Sequence, residues 1–182
     1  MRIFGIDPGS ERTGYGCLER SGGRHHLVLC GSLSAPATAT FPQRLQHIHA
    51  GLVALLAECR PDCVAIENVF HARNVRSALK LGHVRGVALL AASEAGVPVY
   101  EYAPAEIKRA VVGYGRAEKQ QVQQMVKVLL GLPAPPSPHD VADALAVAIC
   151  HLHSAHGQVA DAIKRGAAAR GIPRTWREYR PS

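Results

Sequence analysis

Aromatic residues are scarce, at 5% of the 182-residue chain, with three phenylalanines and one tryptophan. Acidic residues are few as well, 14 against 21 lysines and arginines. The five cysteines (Cys17, Cys30, Cys59, Cys63, Cys150) are an odd number with no CxxC pair. That excludes a disulfide framework and a zinc ribbon, and leaves them as reduced, mostly buried, small apolar side chains. Long hydrophobic runs are missing too. Stretches such as Val87 to Ala92 and Ala144 to Cys150 fall far short of the ~20 residues that cross a bilayer. Asp7 interrupts the opening MRIFGIDPGS before an apolar signal core can form, so no secretory signal is expected and the cytoplasm is the default location.

What remains is a globular composition, 47% hydrophobic and 19% charged. A chain of this length is expected to fold as one domain that withdraws roughly 70% of its unfolded surface from water. The formal charge of +7 and pI near 9.5 point to a polyanionic partner, because Lys and Arg clusters gain affinity by releasing counterions from phosphates. More than half of that excess lies beyond Asp161, where Lys164, Arg165, Arg170, Arg174, Arg177 and Arg180 face only Asp161 and Glu178. The expected organisation is a folded domain over residues 1–156 and a basic, mobile tail over 157–182, where Gly, Ala and Arg dominate.

Along the chain, the mostly apolar Arg2 to Asp7 predicts a buried central strand. Thr13 to Glu19 and His25 to Leu33, parted by Ser21-Gly22-Gly23, predict two more strands of an antiparallel meander. Leu45, Ile48, Leu52 and Leu55 or Leu56 recur at helical spacing within Phe41 to Arg60, with Pro61 as the stop. A short strand over Cys63 to Glu67, a helix over Asn74 to Ala95 closed by Gly96, and a strand over Val97 to Tyr102 follow. Three further helices are expected: from Pro104 to about Val112, from Ala117 to Leu130 after a Gly113-Tyr114-Gly115 break, and from about His139 after a Pro-rich connection. The fold class is therefore α/β, a mixed five-stranded sheet of three antiparallel and then two parallel strands, flanked by helices.

Against this pattern some acids are misplaced. Asp7 ends the apolar strand IFGID, Glu67 ends CVAIE, and Asp143 is embedded in VADALAVA. Burying such charges is costly without compensation. Asp140 and Asp143, at i and i+3, share one helical face, and Asp7 and Glu67 lie at the carboxyl ends of strands, where open α/β sheets place their ligands. Four converging carboxylates without Cys select hard cations, above all Mg²⁺ with Mn²⁺ as substitute. Two such ions ~4 Å apart would activate water and stabilise the leaving oxygen of a phosphodiester. His139 is a candidate for the site's surroundings, and it can compete with its neighbour Asp140 for one ligand position. His151, His153 and His156 read as the solvated end of a helix.

Basic residues cluster beside these acids. Phe70 to Arg85 holds His71, Arg73, Arg76, Lys80, His83 and Arg85, with no acid between Glu67 and Glu94. Arg73, Arg76 and Lys80 form one helical face that suits a phosphate track, while Ala78, Leu79, Val84 and Val87 are expected to face the core. Phe70, in a loop where a core role is less natural, can wedge into a base step. Lys108, Arg109, Arg116 and Lys119 form a second basic group around the Gly113-Tyr114-Gly115 break.

These residues resemble the RuvC family of Holliday junction resolvases from Met1 to about His153. The carriers are IDPGSxxTGYG at 6–16, IENVF at 66–70, SALKLGHVRG at 77–86, VVGYGRAEKxQVQxMV at 111–126 and DVADALAVAICH at 140–151. The resemblance implies an RNase H-like fold, a homodimer, and paired Mg²⁺-dependent nicks across a four-way junction in recombination and repair, beside the RuvA and RuvB branch-migration proteins. It maps the metal carboxylates onto Asp7, Glu67, Asp140 and Asp143, the junction-core aromatic onto Phe70, and backbone-contacting lysines onto Lys108 and Lys119. A second reading from the residues is a non-catalytic, architectural junction-binding protein whose acids only organise the fold. An actin-like ATPase is disfavoured, because the chain has one D-x-G loop and about half the length of two such lobes.

Overall fold

The computed structural model describes residues 1–68 and 75–169, with side chains as far as residue 154. Five strands form one sheet in the order β3-β2-β1-β4-β5. They are β1 (Arg2–Asp7), β2 (Thr13–Ser21), β3 (Arg24–Leu33), β4 (Cys63–Glu67) and β5 (Val99–Tyr102). Strands β1, β2 and β3 pair antiparallel, while β4 joins β1 in parallel and β5 joins β4 in parallel. The expected mixed sheet is the one observed.

Alternation along the strands sends their side chains into two cores. Phe4, Ile6, Val64 and Ile66 meet α1 (Phe41–Cys59) and α2 (Val75–Glu94) on one face. Ile3, Cys63 and Ala65 meet α3 (Pro104–Val112), α4 (Lys119–Leu130) and α5 (His139–Ala169) on the other. Helix α1 buries Ile48, Leu52, Leu56 and Cys59, each large aliphatic contributing roughly 1.5–3 kcal/mol when fully buried. Its first turn is fixed where the Thr40 amide donates to Gln43 Oε1 at 2.8 Å. Ala103 to Glu106 (2.8 Å) and Glu118 to Gln121 (2.8 Å) close the starts of α3 and α4 in the same way.

Helix α5 sits centrally. From Val141 to Leu152 every residue but Asp143 is buried, because the sheet lies beneath it and α3 and α4 cover its other side. It approaches the sheet over glycines. A Cβ on Gly5 would collide with the Ala144 carbonyl oxygen, and one on Gly14 with that of Asp140. The Asp140 end of the helix is thereby seated against the start of β2.

The structure corrects two expectations and lengthens one element. Leu79 is 60% exposed and Ala78 is also exposed, because the first two turns of α2 rise clear of the sheet and only Val84, Ala88, Ala91 and Ala92 reach the core. Helix α5 continues to Ala169, so its helical backbone runs past residue 156, where the folded domain was expected to end. His151 is buried rather than solvated, because it lies on the stripe of α5 that crosses β4 and β5. Four of the five free cysteines are buried and Cys30 is exposed. Among the described residues no helix is long and apolar enough to cross a membrane.

Candidate active site

Asp7 and Glu67 reach the same place through strand register. In β1, Ile3, Gly5 and Asp7 face α5; in β4, Cys63, Ala65 and Glu67 do. Ile6 pairs with Ile66, so the two acids leave adjacent parallel strands at the same level, on the same face and at the carboxyl end of the sheet. Asp140 arrives from the first turn of α5, against Gly14, which is the register partner of Asp7. Asp143 follows one turn on, beside the Glu67 side of the group.

The electrostatics report this crowding. Burial pushes the Asp7 carboxyl up to about 8, and the neighbouring charges of Asp143, Glu67 and Asp140 add to the rise. Glu67 is raised by burial and by Asp143, against the opposing fields of Lys119 and Lys108. Asp143 is raised by burial although Lys119 opposes the shift. The Lys119 ammonium, held chiefly by Asp143, is pushed above its usual range. Like charges forced together at a buried strand end favour protons, or a cation in their place.

Two of the four already have a cationic partner. Lys119 Nζ lies 3.5 Å from Asp143 Oδ2, and Arg12 Nη1 lies 3.8 Å from Asp140 Oδ2. Among the described residues no three His, Cys, Asp or Glu side chains stand at the mutual spacing of a formed metal site. The field felt at Asp7 nevertheless couples all four acids. The two facts agree if Asp140 and Asp143 turn toward Arg12 and Lys119 and must turn inward to coordinate.

A cleft of about 190 Å³ opens beside the acids, lined by Glu67, Pro104, Ile107, Lys108, Lys119, Val122 and Asp143. A wider hollow of about 590 Å³ beside α1, lined by Ala35, Gln43 and His47 among others, contains no acid and lacks the chemistry.

Of the basic residues expected to hold DNA, Lys108 and Lys119 stand at this cleft, one half-buried and one exposed. Arg76 and Lys80 are exposed on α2, where the Lys80 ammonium lies 5.8 Å from the Phe41 ring. Phe70 and Arg73 lie outside the described residues. Arg85 leaves the expected phosphate track, because it pairs at 2.5 Å with Glu101 on β5. His139 is exposed at the start of α5.

Sequence reasoning passed over Arg12. Its signal was its place in the loop between Asp7 and Thr13, four residues after Pro8; only the fold brings it to Asp140.

With the four acids at one sheet end, the comparisons with known proteins bear directly on the chemistry. The family model of the crossover junction endodeoxyribonuclease RuvC matches residues 3–151. The chain belongs to the RuvC family. A relative from Chloroflexus aggregans, named crossover junction endodeoxyribonuclease RuvC, is 50% identical over 155 residues, covering 85% of this chain and 94% of the relative. One from Heliobacterium modesticaldum with the same name is 55% identical over 154 residues, covering 85% and 95%. Among solved structures, Thermus thermophilus RuvC superposes with a TM-score of 0.79 at 38% identity, covering 87% of this chain and 97% of that one. T. thermophilus RuvC in complex with a Holliday junction substrate gives 0.81 at 38% identity, covering 85% and 94%. Membership of this family sets aside the non-catalytic reading in favour of an endonuclease acting on phosphodiester bonds.

Proposed function

We propose that the protein resolves four-way DNA junctions by paired, symmetric, metal-dependent phosphodiester hydrolysis, with Asp7, Glu67, Asp140 and Asp143 as the metal-binding acids. The observation that carries this reading is the convergence of the four acids on Asp7, in a chain 38% identical to a RuvC that has been seen with a Holliday junction substrate.

The donor set is all oxygen, four carboxylates whose burial and crowding favour a cation in place of protons, which fits Mg²⁺, with Mn²⁺ as substitute, at two ions per site. Bound there, the ions would supply the positive charge that makes water nucleophilic and steadies the departing oxygen. The chain's own residues do the rest. Asp7 and Glu67 are fixed by the sheet, so their carboxylates need little reorganisation to coordinate. Lys119, at the mouth of the cleft, releases Asp143 and offers its ammonium to the phosphate that enters. Lys108, lining the same cleft, adds a second positive group where charge develops on the phosphate oxygens.

A homodimer suits the substrate, because two sites related by a two-fold axis meet two symmetry-related strands. Arg76 and Lys80 of α2, with Arg73 before it, would carry the backbone beyond the cleft, and Phe70 would wedge into the junction core. The family resemblance extends the assembly to RuvA and RuvB branch-migration partners and the setting to recombination and repair in the cytoplasm.

The test is a purified protein incubated with a mobile four-way junction and Mg²⁺. Symmetric nicks are expected from the wild type, and none from Asp7→Asn, which should still bind the junction. Tight binding that leaves the DNA intact would refute the catalytic reading, and an Asp7→Asn protein cutting at the wild-type rate would refute the site assignment.

A further inference from the structure

The loop from Pro8 to Arg12, which joins β1 to β2 across the site, is fastened at several points. The Thr13 hydroxyl, fully buried, donates to the Gly9 carbonyl at 3.1 Å. Gly9 packs so closely on the Arg12 carbonyl oxygen that no Cβ would fit between them. Glu11 is drawn to the opposite side, where Arg44 of α1 pairs with it at 2.5 Å. Arg44 is itself held by donating to the carbonyls of Ala39 (3.1 Å) and Ala37 (3.4 Å). The loop therefore neutralises its own acid on α1 and presents Arg12 to the carboxylates.

The Arg12–Asp140 pair does little for stability. At 3.8 Å, with side chains 47% and 35% exposed, it belongs to the class of exposed ion pairs worth about 0–1 kcal/mol. A competitor of higher charge displaces such a contact easily. The position of the pair is its notable property. Asp140 lies at the β2 side of the carboxylate group, against Gly14, whereas Lys119 and Lys108 lie at the β4 side with Glu67 and Asp143. Arg12 gives the β2 flank of the four acids a cation, opposite Lys119 and Lys108 on the β4 side. Its planar fork of donors matches phosphate oxygens better than an ammonium does.

Resting on the reading that this site cleaves DNA, we propose that Arg12 binds a backbone phosphate of the cut strand on the β2 flank of the cleft. In the free protein Asp140 holds Arg12 in place; once divalent ions take up the carboxylates, the guanidinium turns to the phosphate. Arg12 and Lys119 then act as a pair, each released from one acid and each gripping the strand from its own side.

The measurement is junction affinity of the full-length protein with Ca²⁺ in place of Mg²⁺, followed from about 50 to 200 mM salt. Arg12→Gln is expected to bind roughly tenfold more weakly and to lower the slope of log affinity against log salt by about one, the signature of one lost phosphate contact. Arg12→Lys keeps the charge and is expected to keep the wild-type slope while losing part of the affinity. In EDTA the gap between Arg12→Gln and wild type should narrow, because Asp140 then retains the guanidinium. Thermal melting of each variant checks that the loop is intact. Should the glutamine disturb it, the Lys variant still decides: a slope reduced by one in Arg12→Lys overturns the proposal. So does an Arg12→Gln protein with the wild-type slope. Wild-type cleavage in Mg²⁺, run in parallel, tests the nuclease reading separately, since an intact wild type with unaltered Arg12→Gln binding sinks the Arg12 assignment alone.

Discussion

Gly5 and Gly16 stand opposite each other on β1 and β2, and together they let α5 lie on the sheet at backbone distance. A Cβ on Gly5 would strike the Ala144 carbonyl oxygen, and one on Gly16 would come within 2.5 Å of Leu145 Cδ2. Asp143 precedes Ala144, so the depth at which this helix sits sets the height of two of the four acids above Asp7.

Gly5→Ala should therefore harm both stability and catalysis. The clash is with backbone, which cannot turn aside, so α5 must lift. Overpacking of this kind costs about 1–3 kcal/mol, and a fall of roughly 3–10 °C in melting temperature is expected. Cleavage should drop further than the loss of folded protein explains, because Asp140 and Asp143 move with the helix. Gly22→Ala, in an open turn with nothing near its Cβ, serves as the contrast: its cost is local backbone strain at φ 58°, without loss of the site.

The raised Asp7 carboxyl makes the metal-free protein pH-sensitive. Its folded value of about 8 exceeds the unfolded 3.8, so the folded state holds the proton more tightly. That contribution to stability is complete below pH 4 and is lost as the pH rises toward 8. Asp7→Asn removes it. In EDTA the variant should melt above wild type at pH 8, by roughly 5–10 °C, and close to it at pH 4. Equal melting temperatures at pH 8 would show that the Asp7 carboxyl is neither desolvated by burial nor crowded by the other acids. The same argument predicts proton release when divalent ions bind near pH 7, measurable by calorimetry in buffers of different ionisation enthalpy.

Much of this fold was legible beforehand because strand periodicity and turn residues are local signals. Cys63 to Glu67 was bounded by its own composition, and Asp7 and Glu67 stood out as charges at the ends of apolar strands. Other features depend on contacts distant in sequence. Leu79 looked like a core residue by helical spacing, but the turn that carries it has no sheet beneath. His151 looked solvated among other histidines until α5 was laid across β4. Arg12 is ordinary in sequence, and its meaning comes from Asp140, which folding brings to it from the far end of the chain.

Lys119→Gln separates electrostatic assistance from binding. The ammonium lies 3.5 Å from Asp143 and opposes the upward push of burial on that carboxyl. Without it, Asp143 and Glu67 should hold protons to higher pH, so the acid limb of the cleavage profile moves to higher pH. The maximal rate should fall by roughly 10²-fold, as for loss of one preorganised charge donor, while junction affinity changes by less than tenfold. An unshifted acid limb would mean that Lys119 acts on the DNA alone.

His151 tests the middle of α5, away from the acids at its start. Its Nδ1 lies 2.6 Å from the Tyr102 hydroxyl and its Nε2 3.2 Å from Cys63 Sγ, with the Tyr100 ring centroid 4.6 Å away. Burial lowers the imidazole below its usual 6.5, so the folded state carries it neutral. Here the sign is the reverse of Asp7: stability is present above pH 6.5 and is lost as the pH falls through the depressed folded value. His151→Ala should leave a cavity and take one hydrogen-bond partner from the Tyr102 hydroxyl, at a cost of about 2–4 kcal/mol in denaturant titration. His151→Gln, which keeps a polar partner of similar reach, should cost less and flatten the decline of stability as the pH falls below 6.5. If that decline is as steep in His151→Gln as in wild type, another group is responsible and the buried imidazole is a spectator.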